Sequence, residues 1–385
     1  MLDFIFHNPT KIIFGKETIK LVAREIPAKS GVMITYGGGS AKRHGLLDTV
    51  KDALNDYDLT EFGSIEPNPE FETLVKGIEL ARKKKIDFLL AIGGGSVIDG
   101  TKFLAAAIPF KGDPALLLAN GGSAIKQSLP IGTVVTLPAS GSEMNNRAVI
   151  SRKALQIKQA ILNDILFPQF SVLDPTVTFT LPTKFVGNGV VDTFVHVLEQ
   201  YLTYPVNGKV QDRLAEGLLL MLIEEGPRAL SEPENYDVRA NLMWGATLGL
   251  NGLLGAGVPQ DWAAHRSGYE LTVLYGLDHA QTLACLVPAM LKIRAGEKRQ
   301  KLLQYASRIW GINSGNEDTR INDAINKTRA FFEAMGLPTR LCDYGIKSDC
   351  IGRVLTKLKE HGMINLGERQ DVTPEMMQKI LESCL

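Results

Sequence analysis

Three of the six histidines in this chain, His196, His265 and His279, fall in one stretch of its second half together with Asp192. Imidazole nitrogens and a carboxylate oxygen are the donors that hold a divalent transition ion, and such a set leaves room for a substrate oxygen. Asp192 and His196 stand four residues apart, so on a helix both side chains leave the same side one turn apart. Around them, Lys184 to Tyr201 is nearly all apolar, with Phe185, Val186, Val190, Val191, Phe194, Val195, Val197 and Leu198. Asn188, Asp192, His196 and Glu199 make one polar stripe at helical spacing. A buried polar line needs a partner, because an unpaired buried carboxylate is costly. Two readings meet that need: Asp192 and His196 pair with each other in the core, or they share an ion. His265, following Asp261 and Trp262 in a second helical segment, favours the ion. So does His279, which opens a third helix after the N-cap residue of Tyr275-Gly276-Leu277-Asp278.

These helices need a frame. At 385 residues the chain exceeds a usual single domain, and two domains are expected. From the start to about Asp174, short β-branched runs alternate with helical stretches, the pattern of βαβ units around a parallel sheet. Strands are expected at Gly31 to Tyr36, Leu59 to Ile65, Phe88 to Ile92, Gly132 to Leu137 and Phe170 to Leu173, with helices at Phe71 to Lys84 and Val97 to Ala107. After Leu173-Asp174-Pro175 the strand signals stop, and helices are expected at 184–203, 208–225, 236–254, 261–274, 279–293 and 298–309. The shift in composition predicts an α/β dinucleotide-binding domain over 1–178 and an all-helical metal-binding and substrate domain over 179–385.

Lys plus Arg and Asp plus Glu each total 42, so no basic field argues for nucleic acid and no acidic excess for a solvating chain. The run Arg82-Lys83-Lys84-Lys85 falls at a helix end, where cations complement the dipole, and reads as a solvated terminus. Cys285, Cys342, Cys350 and Cys384 lie far apart without C-x-x-C spacing, which fits free thiols in a reducing compartment. The N-terminus, Met1-Leu2-Asp3-Phe4-Ile5-Phe6-His7-Asn8, has no basic segment leading into an apolar run, and no later segment reaches membrane-spanning length without a charge or turn signal. A soluble cytoplasmic protein is expected.

Two strand ends carry the same tetrapeptide: Gly37-Gly38-Gly39-Ser40 after Ile34-Thr35-Tyr36, and Gly93-Gly94-Gly95-Ser96 after Leu90-Ala91-Ile92. Glycines there let backbone amides approach an anion, and the second loop runs straight into the helix Val97-Ile98-Asp99-Gly100-Thr101-Lys102-Phe103, whose N-terminus would face a pyrophosphate. This is not the G-x-G-x-x-G fingerprint, and a tight strand-to-helix turn needs the same residues. Two such loops at the C-terminal ends of strands in one sheet point to a ligand, because open α/β sheets bind there. A third loop, Leu137-Pro138-Ala139-Ser140-Gly141-Ser142-Glu143, adds hydroxyls suited to a ribose or a nicotinamide amide.

With these motifs, the sequence resembles the iron-containing (group III) alcohol dehydrogenases over essentially its full length. Within that family it is most similar to the NADPH-dependent aldehyde reductases of the YqhD type and to the butanol dehydrogenases. The resemblance rests on the two triple-glycine loops, on Thr136-Leu137-Pro138-Ala139-Ser140-Gly141-Ser142-Glu143, on Asn188-Gly189-Val190-Val191-Asp192-Thr193-Phe194-Val195-His196 and on Gly276-Leu277-Asp278-His279-Ala280-Gln281-Thr282. It implies a dehydroquinate synthase-like fold: a Rossmann-like nucleotide-binding domain followed by an all-α domain. Asp192, His196, His265 and His279 match the family's ligands for iron or zinc, in a cleft between the domains. Gly37, Gly38, Gly39, Ser40, Gly93, Gly94, Gly95, Ser96, Asp99, Thr136, Leu137, Ser140, Ser142, Asn145 and Lys158 are the residues expected at the cofactor. Asp99 would position the nicotinamide amide or ribose, or complement the charge of its helix start. A homodimer or larger assembly is implied.

Gly38 occupies the place where NAD-preferring relatives carry an aspartate that repels a 2′-phosphate, and Ser40, Lys42 and Arg43 offer a hydroxyl and positive charge. NADPH is therefore the expected cofactor, with NADH the alternative. The chain departs from the family pattern in two places. Tyr269 stands where relatives carry a second histidine suspected of relaying protons, and Arg147 follows Asn145-Asn146 where close relatives have glycine. The expected reaction is reversible hydride transfer between the nicotinamide and a small aldehyde, the metal polarising the carbonyl oxygen. His265, Tyr269 and His279 are the catalytic candidates. Alternatives are a metal- and NAD-dependent lyase of the dehydroquinate synthase type and a non-catalytic nucleotide sensor. Trp262, Leu253, Leu254, Val258 and Phe194, with Arg266 as the nearest cation in sequence, favour small apolar aldehydes over a phosphorylated substrate.

Overall fold

The computed structural model describes residues 1–385, with the side chain of Ser40 outside the described residues. The chain forms two compact units: His7–Leu181 with Glu232–Asn251, and Met1–Phe6 with Pro182–Ser231 and Gly252–Leu385. A single division at 178 does not describe this path, because the chain passes between the units more than once.

The first unit is built on a six-stranded sheet. Its strands are β1 (Lys11–Phe14), β2 (Gly31–Tyr36), β3 (Asp58–Phe62), β4 (Phe88–Gly94), β5 (Ile131–Leu137) and, after the hairpin strands β6 (Arg147–Arg152) and β7 (Ile157–Leu162), β8 (Phe170–Leu173). The order is β1-β8-β5-β4-β2-β3, and every neighbouring pair is parallel. Its helices are α1 (Ser40–Arg43), α2 (Leu46–Ala53), α3 (Phe71–Lys84), α4 (Gly95–Ala107) and α5 (Ala115–Ala119). Central strands of such a sheet are covered on both faces and read as unbroken apolar runs. Along β4, Phe88, Leu90 and Ile92 enter one core with Leu46, Leu47 and Val50 of α2, while Leu89 and Ala91 enter the other with residues of α3 and α4. β2, β4 and β5 are neighbours, so the loops that follow them emerge side by side at one edge.

The expected strands are all present within a few residues. β1, β6 and β7 were not expected: β1 is four residues long, and the β6–β7 hairpin mixes buried and exposed positions without clean alternation. The Arg82 guanidinium is not simply solvated, because it donates to Ala107 O and Ile108 O at 2.9 Å and so closes the C-terminal end of α4.

The second unit is helical: α6 (Thr183–Tyr201), α7 (Lys209–Ser231), then α9 (Ala263–Tyr275), α10 (His279–Ile293), α11 (Arg299–Arg308), α12 (Glu317–Ala334), α13 (Cys350–Glu360) and α14 (Pro374–Cys384). The intervening α8 (Tyr236–Gly249) belongs to the sheet unit, where Thr247 Oγ1 donates to the buried Glu143 carboxylate at 2.6 Å. Its apolar face carries no local sign of which core it joins. α10 is the centre of the helical unit and packs against α6, α9, α12 and α14. Among the described residues no helix is long and apolar enough to cross a membrane. All four cysteines are free.

Candidate active site

α6 is buried along most of its length, and Asp192, His196 and Glu199 all lie on its inward side. α9 starts after Trp262, whose backbone takes the left-handed conformation at φ 59°, and this turn delivers His265 toward α6. α10 starts at His279, where the Asp278 amide donates to Gln281 Oε1 at 2.9 Å and fixes the first turn. Three helices thus bring three imidazoles to one carboxylate. Asp192 Oδ1 lies 3.7 Å from His196 Nε2, 4.0 Å from His265 Nε2 and 3.9 Å from His279 Nε2.

Ligands of a tetrahedral ion with bonds of about 2.0–2.2 Å stand roughly 3.3–3.6 Å apart. The observed spacings are slightly wider, so small side-chain rotations suffice to close the set on an ion. Asp192, His265 and His279 form the tightest group, with donor atoms within 4.8 Å of one another. His196 flanks that group, its ring stacked on His265 at 4.6 Å between centroids. The three-nitrogen, one-oxygen chemistry and the convergence fit a divalent transition metal.

The back of the site holds a residue to which the sequence reading gave no role. His265 Nδ1 meets Glu199 Oε2, and Glu199 Oε1 accepts from the Ala264 amide at 2.8 Å. A carboxylate on the second ring nitrogen fixes tautomer and ring orientation and leaves Nε2 for an ion. Burial, then the nearby Asp261, pushes the Glu199 carboxyl up to about 8, against the pull of the Ala264 amide and Lys298. Glu199 was visible as the fourth member of the polar stripe; what the stripe could not show was that its partner sits 66 residues away.

Around the ligands, the Trp262 ring stands 5.2 Å from His265 and 6.3 Å from His196. Tyr269 lies beside His279, with ring centroids 5.8 Å apart. Phe194 does not face the ligands: it packs at 5.2 Å and 5.6 Å against Phe331 and Phe332 of α12, since two residues along a helix turn a side chain away from Asp192. Arg266 points to solvent.

In the sheet unit the three loops separate by role. At Gly38 a Cβ would meet nothing within 4 Å, and Gly39 has φ +96°, so this loop is open and needs its glycines for conformation and approach. Gly93 and Gly95 are different: a Cβ would lie 2.5 Å from Val97 Cγ2 and 2.3 Å from Ser140 Oγ, so these glycines make room for neighbouring side chains. Gly94 pairs with Leu137 across β4 and β5. Both Asp99 oxygens are engaged, Oδ1 by the Ser142 hydroxyl at 2.6 Å and Oδ2 by the Val149 amide at 2.8 Å, which ties α4 to the third loop and to β6. Ser96 Oγ accepts from the Asn68 amide at 3.2 Å, and Lys158 Nζ donates to Asn68 Oδ1 at 2.8 Å. Thr136 and Leu137 end β5, and Ser140 Oγ accepts from the Ser142 amide at 3.3 Å. The Ser40 side chain lies outside the described residues.

Lys102, another residue without an expected role, organises the third loop. Its buried Nζ donates to Ser142 Oγ at 3.0 Å, to Asn145 O and Oδ1 at 2.8 and 2.9 Å, and to Arg147 O at 2.8 Å. Burial draws its pKa down to about 8, opposed by Asp99 and Glu143 and assisted by Arg147. Asn145 is thereby held from within, its amide donating to Gly141 O at 2.9 Å.

Residues 9–175 match the family model described as iron-containing alcohol dehydrogenase, and residues 187–385 match that of the C-terminal region of the same family. The chain belongs to the iron-containing alcohol dehydrogenase family. Over 385 residues, the full length of both chains, it is 56% identical to the NADPH-dependent aldehyde reductase YqhD of Escherichia coli. It is 37% identical over the full length of both chains to a probable NADH-dependent butanol dehydrogenase of Bacillus subtilis. The crystal structure of Escherichia coli YqhD superposes with a TM-score of 0.99 at 55% identity, covering 100% of this chain and 99% of that one. The NADH-dependent butanol dehydrogenase A of Thermotoga maritima follows at a TM-score of 0.95 and 32% identity, with 100% and 99% covered. As a member of this iron-containing family, the chain has the sheet and helical units that the resemblance implied.

Proposed function

We propose that this protein is a metal-dependent, NADP(H)-linked aldehyde reductase and alcohol dehydrogenase acting on small aldehydes and primary alcohols. The observation that carries this reading is the convergence of three imidazole Nε2 atoms on Asp192 Oδ1, 3.7 to 4.0 Å away, from three different helices. When bound, iron or zinc there would polarise a substrate oxygen, and a reduced nicotinamide would supply the hydride. Asp192, His196, His265 and His279 would hold the ion, and Glu199 holds the His265 ring so that Nε2 faces Asp192. Tyr269, whose ring stands beside His279, is the proposed carrier of the proton that carbonyl reduction consumes. Trp262 gives the ligands an apolar neighbour suited to a small uncharged substrate.

The sheet unit is proposed to bind the dinucleotide along the loops after β2, β4 and β5, residues 37–40, 93–96 and 136–145. NADPH is preferred because Gly38 offers no carboxylate to repel a 2′-phosphate, and Lys42 and Arg43 lie on the helix that follows. Relatives of both preferences are known by name, the NADPH-dependent reductase at 56% identity and the NADH-dependent dehydrogenase at 37%. A cytoplasmic homodimer or larger homo-oligomer completes the proposal. Metal-loaded protein incubated with NADPH and butanal should lose the absorbance of the reduced nicotinamide, with kcat/KM higher for NADPH than for NADH. No turnover across several aldehydes would overturn the reductase reading, and a preference for NADH would overturn the cofactor assignment.

A further inference from the structure

Behind Glu199 lies a buried cluster of charges drawn from separate segments of the helical unit. Arg294, at the C-terminal end of α10, is completely buried; it donates through one terminal nitrogen to Asp261 Oδ2 at 2.7 Å and through the other to Glu368 Oε2 at 3.2 Å and Asp371 Oδ1 at 2.9 Å. Lys298, just before α11, is nearly as buried and reaches Asp261 Oδ2 at 2.7 Å, Glu368 Oε1 at 2.8 Å and the Leu202 carbonyl at the end of α6. Glu368 and Asp371 sit on a tight loop closed by Leu366 and Val372, whose amides and carbonyls bond reciprocally at 3.0 and 3.1 Å. At Gly367 in that loop, φ is +85° and a Cβ would stand 3.2 Å from the Arg294 guanidinium, so the loop is shaped to the cation beneath it.

Asp261 joins this cluster to the ligands. Its Oδ1 accepts the Ala263 amide at 3.1 Å, capping α9 two residues before His265, and its own amide donates to the Glu199 carbonyl at 2.9 Å. The left-handed turn at Trp262 is thereby pinned from both sides. A charge that leaves water is stable only when held by its partners, so removing one member of such a cluster disturbs the rest.

We infer that Arg294, Lys298, Glu368 and Asp371 are positioning residues for the metal ligand His265: they fix Asp261, which fixes the start of α9 against Glu199. The loop 366–372 thus sets metal affinity without touching an ion. This rests on the metal reading above. The test uses the full-length apo protein titrated with Co2+ against a chromophoric chelator, followed by visible absorption and by quenching of Trp262, whose ring adjoins His265. Wild type should bind one Co2+ per chain. Glu368→Gln and Asp371→Asn should keep the far-UV circular dichroism of the wild type while losing at least tenfold in Co2+ affinity, with an altered cobalt spectrum. Arg294→Met should lose more, and Arg294→Lys should restore part of it. Folded Glu368→Gln and Asp371→Asn proteins with wild-type affinity and spectrum would overturn the inference. Failure of the wild type itself to bind Co2+ would overturn the metal reading and this inference with it.

Discussion

At the scale of single residues, the proposed site separates groups that would hold an ion from a group that would pass a proton. His265→Ala removes a nitrogen whose ring is already oriented by Glu199, and should lose bound metal and nearly all reductase activity. Metal analysis of the purified variant checks this, and full metal content with activity would exclude His265 as a ligand. Tyr269 is separable from that role, because its ring stands beside His279 and it is not one of the four convergent residues, Asp192, His196, His265 and His279. A phenol with an unperturbed pKa of about 10 is a poor match to neutral pH, whereas an imidazole near 6.5 is a good one. If the Tyr269 hydroxyl nevertheless carries the proton, Tyr269→Phe should keep its metal and lose on the order of 100-fold in kcat. Tyr269→His should shift the pH optimum for reduction toward neutrality; an unchanged kcat in Tyr269→Phe would remove the phenol from the proton route. Gly38→Asp offers a third case: open space at that position admits the side chain, and the carboxylate should raise the ratio of NADH to NADPH kcat/KM by about tenfold or more. No change in that ratio would place the 2′-phosphate elsewhere. The four convergent residues were legible as types at a spacing, while the roles of Glu199 and Lys102 were not, since each acquires its meaning from partners 40 or more positions away.

At the scale of elements, sequence periodicity located the strands β2, β4, β5 and β8 and the helices that carry the ligands, because buried parallel strands and amphipathic helices leave strong local patterns. It could not see the β6–β7 hairpin, whose strands are short and mixed in polarity, nor assign α8 to the sheet unit. The six loop glycines look equivalent in sequence, and the structure divides them. Gly95→Ala would force a methyl group within 2.3 Å of Ser140 Oγ, displacing the third loop from the end of β4. Overpacking of this kind costs about 1–3 kcal/mol. Gly38→Ala, facing open space, should cost far less. Chemical denaturation of the two variants should separate them clearly, and equal losses would mean that the Gly95–Ser140 contact relaxes without strain.

At the scale of the whole molecule, an ion bound at the proposed site would be a structural partner as well as a reagent. All four candidate ligands and the charge cluster behind them belong to the helical unit, and their donors come from α6, α9 and α10, the helices at its centre. A ligand that binds only the folded state stabilises it by mass action, by about 2.7 kcal/mol at a hundred times its Kd. For a domain of 150–250 residues each kcal/mol moves Tm by about 2–4 °C, so chelation of metal-loaded protein should lower the transition of the helical unit by roughly 5–10 °C. Trp262 and Trp310 lie in that unit and Trp244 in the sheet unit, so Trp244→Phe protein reports the helical transition through its remaining fluorescence. His265→Ala should show the lower Tm from the start and no response to chelator. A chelator-induced fall of equal size in that variant would mean that the stabilising ion sits elsewhere, because an ion that depended on the His265 imidazole would already be lost from the variant before chelator is added.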